Sequence, residues 1–113
     1  MISNSVALAN KVQSNLVYFH LWSEITQITL KLEENHIVTI LQGQDPRNEH
    51  RHFDYLIPVH KTTKVTLKDL DLIFKHIGSS TGSVPKMMLM AIVDFDGSVL
   101  YYNVYEGLQR PNN

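Results

Sequence analysis

The chain has 113 residues, 43% hydrophobic and 19% charged, which suits one compact domain and is too few for two. It contains no cysteine, so disulfides, thiolate metal sites and cysteine nucleophiles are excluded together. A formal net charge of −1 argues against binding nucleic acid chiefly by neutralising phosphates.

The first ten residues lack a basic region followed by an apolar run, so no secretory signal is expected. Ile2, Val6, Ala9, Val12, Leu16 and Phe19 recur at spacings of three and four, one stripe of an amphipathic helix. The pattern predicts a helix over residues 3–20, with Ser3, Asn4 and Ser5 offering cap oxygens and Trp22 anchoring its end. The period then changes. Ile28, Leu30 and Leu32 alternate with Thr29 and Lys31, a half-buried strand. Glu33, Glu34 and Asn35 make a tight turn, and β-branched residues 37–41 return as the second strand of a hairpin.

Residues 43–51 are polar around Pro46 and read as a loop. Phe53, Tyr55, Ile57 and Val59 alternate along a third strand, and Pro58, which has no N–H, places that strand at an edge or ends it there. Thr66 and Asp69 resemble a capping box. Leu67, Leu70, Ile73, Phe74 and Ile77 form the buried stripe of a short helix closed by Gly78, with a loop over residues 79–85. Residues 86–93 are nearly all apolar and suggest a central strand covered on both faces, with Met87, Met88 and Met90 as packing residues. This run is far below the ~20 residues of a membrane helix, so a soluble, intracellular protein without membrane insertion is expected. Asp94-Phe95-Asp96-Gly97 has hairpin-turn chemistry, and residues 98–105, rich in Val and Tyr, form the returning strand. The order α-β-β-β-α-β-β over residues 1–113 defines a single α/β (α+β) domain, its first helix at 3–20 and its mixed sheet and second helix within 24–113.

The last third resembles a known family. A helix over residues 67–74 precedes Lys86-Met87-Met88-Leu89-Met90-Ala91-Ile92-Val93, then the acidic turn, then Ser98-Val99-Leu100-Tyr101-Tyr102-Asn103-Val104-Tyr105. This is similar to the C-terminal domain of the tRNA-intron endonuclease family. Residues 15–24, a helix running into Trp22, and residues 101–111, ending Tyr-Glu-Gly-Leu-Gln-Arg-Pro, extend the resemblance to the smallest non-catalytic subunit of the fungal-type enzyme.

The resemblance implies a metal-independent cut that leaves a 2′,3′-cyclic phosphate. A Tyr serves as general base, a His as general acid and a Lys as charge stabiliser, all gathered on one phosphodiester. Lys86 stands at the family's Lys, and His52 aligns with its His. Where the family has its Tyr, this chain has Thr39, Ile40, Leu41 and Gln42. Losing one member of an acid–base set costs a factor of ~10²–10⁴, so a catalytically silent chain is expected, with His52 and Lys86 as vestigial or chance residues.

The resemblance also implies that the last strand pairs with another subunit through Val99, Tyr101, Tyr102, Val104, Tyr105 and Leu108. It further implies that Asp94 and Asp96 dock into a basic cleft of a catalytic subunit within a heterotetramer. Pre-tRNA would be met indirectly. An isolated chain could form a homodimer through the same strand. The implied compartment is the nucleus, or alternatively the cytoplasmic face of the mitochondrial outer membrane.

Plainer accounts stand beside these. The acidic turn serves as an ordinary hairpin for φ/ψ reasons, and of Tyr101 and Tyr102, which point to opposite faces, one serves the core and one an interface. Lys61, Lys64, Lys68 and Lys75 form a solvated face or a minor phosphate contact. His50, His52 and His60 lack a third ligand at recognisable spacing, so neither metal nor cofactor is expected. The rival functions are a self-sufficient RNase that uses His52, Lys86 and a borrowed base such as Tyr55, and an unrelated small interaction module.

Overall fold

The computed structural model describes residues 2–33, 36–47 and 53–107. Its elements are α1 (Val6–His20), β1 (Ser23–Glu33), β2 (His36–Gln44), β3 (Asp54–His60), α2 (Leu67–Thr81), β4 (Met87–Val93) and β5 (Val99–Tyr105), in the expected order α-β-β-β-α-β-β. They build one five-stranded sheet in spatial order β1-β2-β3-β4-β5. All neighbours are antiparallel except β3 and β4, which run parallel across the α2 crossover, so the sheet is mixed.

The two helices serve different faces. Leu70, Ile73, Phe74 and Ile77 of α2 pack on Leu30, Leu32, Val38, Ile40, Ile57, Val59 and Met88. Ala9, Val12 and Leu16 of α1 pack on Leu41, Leu56, Ala91 and Val93, with Trp22 completing that core. Period-two alternation along each strand supplies both faces at once.

Several expectations are corrected. Helix α1 begins at Val6, not residue 3, because Ser5 is extended and its hydroxyl caps the Leu8 N–H at 3.1 Å. Ile2 is therefore off the helical stripe, yet it is fully buried, in the core on the α2 side. Its N–H donates to the buried Asp69 carboxylate at 3.1 Å, and its carbonyl meets the His36 ring. Phe19, also expected on the stripe, is 77% exposed. Strand β1 starts at Ser23, ahead of the expected alternation, and β2 continues through Gly43 and Gln44, expected as loop. Gly43 belongs in the strand because a Cβ there would meet Ile25 Cγ1 at 3.0 Å and Trp22 Cε3 at 3.1 Å.

Pro58 does not mark an edge: β3 lies between β2 and β4. Its register with β2 spans only Leu41↔Leu56, Gln42↔Tyr55 and Gly43↔Asp54. Two residues further on, Pro58 would stand opposite Thr39 with no N–H to offer. The Asn4 side chain fills that gap. Its Oδ1 accepts from Thr39 N–H at 2.9 Å, and its Nδ2 donates to the carbonyls of Thr39 at 2.7 Å and Pro58 at 2.8 Å. One amide side chain thus replaces the missing rung and fixes where the N-terminal segment passes between the strands.

The capping box of α2 is present: Thr66 Oγ1 accepts from Asp69 N–H, and the Asp69 carboxylate accepts from Thr66 N–H. Leu67 is 65% exposed rather than part of the stripe, since it begins the first turn. Gly78 does not close the helix. The helix runs on to Thr81 and ends at Gly82, whose φ of +84° is the left-handed cap. Gly78 instead admits Val84, whose Cγ2 would lie 2.4 Å from an added Cβ. The turn at Glu34 and Asn35 lies outside the described residues; Glu33 and His36 pair across it.

Candidate subunit interface

Strand β5 is held on one side by β4, in a continuous register from Met87↔Tyr105 to Val93↔Val99. The ends of this hairpin fix its hydrogen-bond phase. Asp94 N–H donates to Ser98 O at 2.9 Å, and Glu106 N–H donates to Lys86 O at 2.8 Å. Bonded pairs alternate along an antiparallel ladder, so Leu100, Tyr102 and Val104 turn their backbone groups toward β4. Val99, Tyr101, Asn103 and Tyr105 then turn theirs outward, to the open edge of the sheet.

The two edges of the sheet differ. Strand β1 has irregular register near Ser23/Thr26 and Lys31/Glu33, a left-handed Glu24 (φ 53°) and charged Lys31 and Glu33. These are devices that discourage another strand from pairing. Strand β5 has no charge, no proline and no register shift. Among the described residues its edge is unguarded.

Its faces are also incompletely covered. Val99 and Tyr101 pack against the core on the α1 side, and Val104 against the core on the α2 side. Leu100 and Tyr102 on the α2 face are 55% and 50% exposed, and Tyr105 on the other face is 58% exposed. So Val99 and Tyr101 can offer a neighbour mainly backbone, Val104 has its backbone taken by β4 and its side chain half-buried, and Tyr102 and Tyr105 present side chains. Leu108 lies outside the described residues. Sequence reading passed over Leu100 and Asn103, although alternation with Tyr102 points to the first and the ladder phase to the second.

Tyr101 bridges layers. Its hydroxyl donates to Asn15 Oδ1 at 2.6 Å, and its ring meets His20 edge-on at 5.1 Å. Burial pushes its phenol up to about 12. A cavity of about 260 Å³ opens beside it, lined by Leu16, His20, Trp22, Arg47, Leu89, Tyr101 and Asn103. Arg47 at its rim is tied to Asp45 at 3.0 Å. Burial works against charge on Asp45, but the side-chain and backbone N–H groups of Arg47 outweigh it and hold that carboxyl below its usual range.

The acidic turn is built as a hairpin: Gly97 N–H closes on Asp94 O at 3.0 Å, with Gly97 at φ +92°. Asp96 Oδ1 accepts from the Ser98 hydroxyl at 2.7 Å and its N–H at 2.9 Å, which lowers the Asp96 carboxyl below its ordinary range. Asp94 pairs with Lys61 at 3.2 Å, and that ammonium also lies 5.6 Å from the Phe95 ring centroid. The Lys11 ammonium approaches Gly97. The turn is thus an acidic tip flanked by two lysines, with Asp96 the more exposed carboxylate.

The described residues include two of the family's three catalytic positions. Lys86 is exposed just before β4 and lines a cavity of about 240 Å³ with Phe53, Asp54, Pro85 and Met87. Thr39, Ile40 and Leu41 are buried inside β2, and Tyr55 packs against the core on the α2 side. His50 and His52 lie outside the described residues. His60 contacts Thr62 and the edge of Phe95, and no cluster of three metal-ligating side chains occurs among the described residues. Of the four lysines read as a solvated face, Lys75 pairs with Asp71 at 3.0 Å and Lys61 with Asp94. No described helix is long and apolar enough to cross a membrane.

Two helices on opposite faces of a five-stranded mixed sheet, ending in an unguarded edge strand, define a small α+β protein of the kind the sequence resembles. A family model described as Sen15 protein matches residues 11–113, and the chain belongs to that family. It is also 34% identical over 104 residues to a protein of Eremothecium gossypii named tRNA-splicing endonuclease subunit SEN15, an alignment covering 88% of this chain and 85% of that one.

Proposed function

We propose that this chain is a non-catalytic structural subunit of a tRNA-splicing endonuclease, the complex that excises introns from pre-tRNA and leaves 2′,3′-cyclic phosphate ends. The observation that carries this reading is the unguarded β5 edge in a Sen15-family chain. Val99, Tyr101, Asn103 and Tyr105 direct backbone donors and acceptors outward, and an antiparallel strand from a partner subunit completes the ladder. If that partner strand has the same phase and is centred on Tyr102, all four outward residues pair, giving about eight inter-chain bonds. Leu100, Tyr102 and Val104 then meet its side chains on the α2 face.

Asp94 and Asp96 form the second contact, docking on a basic cleft across a heterotetramer. Asp96 is the carboxylate available for it, because Asp94 is engaged by Lys61. Catalytic silence is supported by the lack of a tyrosine at positions 39–42, which are strand interior here. The complex works in the nucleus or on the cytoplasmic face of the mitochondrial outer membrane, and this chain meets pre-tRNA only within it.

Co-expression with the endonuclease's other subunits tests the proposal. The tagged chain is expected to recover them in equal proportion, and alone it leaves intron-containing pre-tRNA intact. Specific cleavage by the isolated chain, abolished by Lys86→Ala, would overturn the reading.

A further inference from the structure

Among the described residues, helix α1 carries large apolar side chains that stay exposed at its C-terminal end. Leu8 packs against the core on the α1 side, and Asn15 on the same flank accepts the Tyr101 hydroxyl of β5. Lys11, one turn before Asn15, reaches the β4–β5 turn at Gly97. The opposite flank faces β1, where Gln27 donates to Asn10 at 2.6 Å and Gln13 at 3.0 Å. Side chains three and four residues apart share a helix flank. Phe19, four residues after Asn15, therefore continues the row that borders β5, and Tyr18 stands next to it on the outer side of the helix, in a hollow shared with Asn10, Gln13, Ser14 and Val17.

Phe19 lies about three turns beyond Leu8, at nearly the same angle around the helix. Leu8 is packed, while Phe19 is 77% exposed and Tyr18 76%. Leu21, 72% exposed, follows in a left-handed cap (φ 59°) that a bulky residue occupies at a cost. That cap drives Trp22 into the core and leaves Leu21 outside. Such a run of large apolar side chains next to an unpaired edge is unusual on a surface that stays wet.

Resting on the strand-pairing reading above, we propose that Phe19, with Tyr18 beside it, packs on the apolar side chains of the partner-subunit strand added to β5, making α1 the second half of the subunit interface. The occupant follows from geometry. An added strand lies about 4.8 Å beyond β5, and its residues paired with Tyr101, Asn103 and Tyr105 project onto the α1 face. There they meet the side of Tyr101 and, above it, the flank carrying Phe19. The strand that fits carries large apolar residues at those positions. Charged ones would be buried against an aromatic flank without a partner.

The test uses the chain co-expressed with the endonuclease's other subunits. The double variant Tyr18→Ser/Phe19→Ser is compared with wild type and with Asn103→Pro, which blocks the outward N–H of β5. Both serine sites are exposed, so thermal unfolding of the isolated double variant should match wild type. Its affinity for the co-expressed subunits should fall on the order of a hundredfold, and hydroxyl-radical oxidation of Phe19 should drop in the wild-type complex. Unchanged affinity of the double variant, with Phe19 oxidised equally in free and bound chain while Asn103→Pro fails to bind, would overturn this inference and leave strand pairing standing. If Asn103→Pro binds as wild type does, strand pairing itself fails and the α1 contact falls with it.

Discussion

A proline scan of β5 separates the part of the strand that holds this fold from the part that holds a partner. Proline deletes one N–H without removing the strand's extended backbone. At Tyr102 that N–H points to β4, where it pairs with Met90. Tyr102→Pro orphans the Met90 carbonyl and should cost about 2–3 kcal/mol. For a domain of this length that is a melting shift of roughly 10 °C. At Asn103 the N–H points away from β4, so Asn103→Pro should change the stability of the isolated chain by less than about 1 kcal/mol. Against the partner the order reverses. Asn103→Pro removes an inter-chain bond and sets a ring against the incoming strand, about 2–3 kcal/mol or a roughly 30- to 150-fold weaker complex. Asn103→Ala, which keeps the N–H, serves as the side-chain control and should bind nearly as wild type does. Differential scanning fluorimetry of the isolated variants and titration calorimetry with the purified partner subunits read the two effects. Equal destabilisation of the isolated chain by both prolines would refute the assigned ladder phase. Wild-type affinity of Asn103→Pro would refute edge pairing.

Other residues give independent checks. Asn4→Ala strips the surrogate rung between Thr39 and Pro58 and should cost about 3 kcal/mol in urea unfolding with an unchanged m-value. Asn4→Asp should be no better, because a carboxylate cannot donate to the two carbonyls; a loss below about 1 kcal/mol would show that water replaces the amide. Gly78→Ala sets about 1 kcal/mol of improved helix propensity against a Cβ crowding Val84, and should be net destabilising by about 1–2 kcal/mol on thermal melting. A phenolate titration should find a step near pH 12 that is lost in Tyr101→Phe. Because the folded value lies above the unfolded value of about 10, Tyr101's contribution to stability is complete below pH ~10 and declines as pH rises toward 12. An ordinary titration of the Tyr101 phenol would place it in water.

Local pattern was enough for the element order, because two periodicities and their punctuation are properties of neighbouring residues. Alternation at Ile28, Leu30 and Leu32, the apolar run before Asp94 and the Thr66–Asp69 box each found their element. Three of the errors share a cause: each depended on what another segment does. Pro58 reads as an edge residue until Asn4, 54 positions away, supplies the missing rung. Gly78 reads as a helix end until Val84 is seen to need its missing Cβ. Phe19 reads as core because the helical period places it on the buried side, but the sheet ends at β5 and its side chain stays largely exposed.

The candidate interface divides the same way. Composition alone put Val, Tyr and Asn in the last strand and two carboxylates in the turn before it, and left no tyrosine at positions 39–42. Which strand lies at an edge, which of its residues turn their N–H groups outward, and that Asp94 is already held by Lys61 were decided only in three dimensions. Strand order and ladder phase are pairings between distant segments, and a one-dimensional pattern of apolar and polar residues is the same whichever neighbour a strand receives.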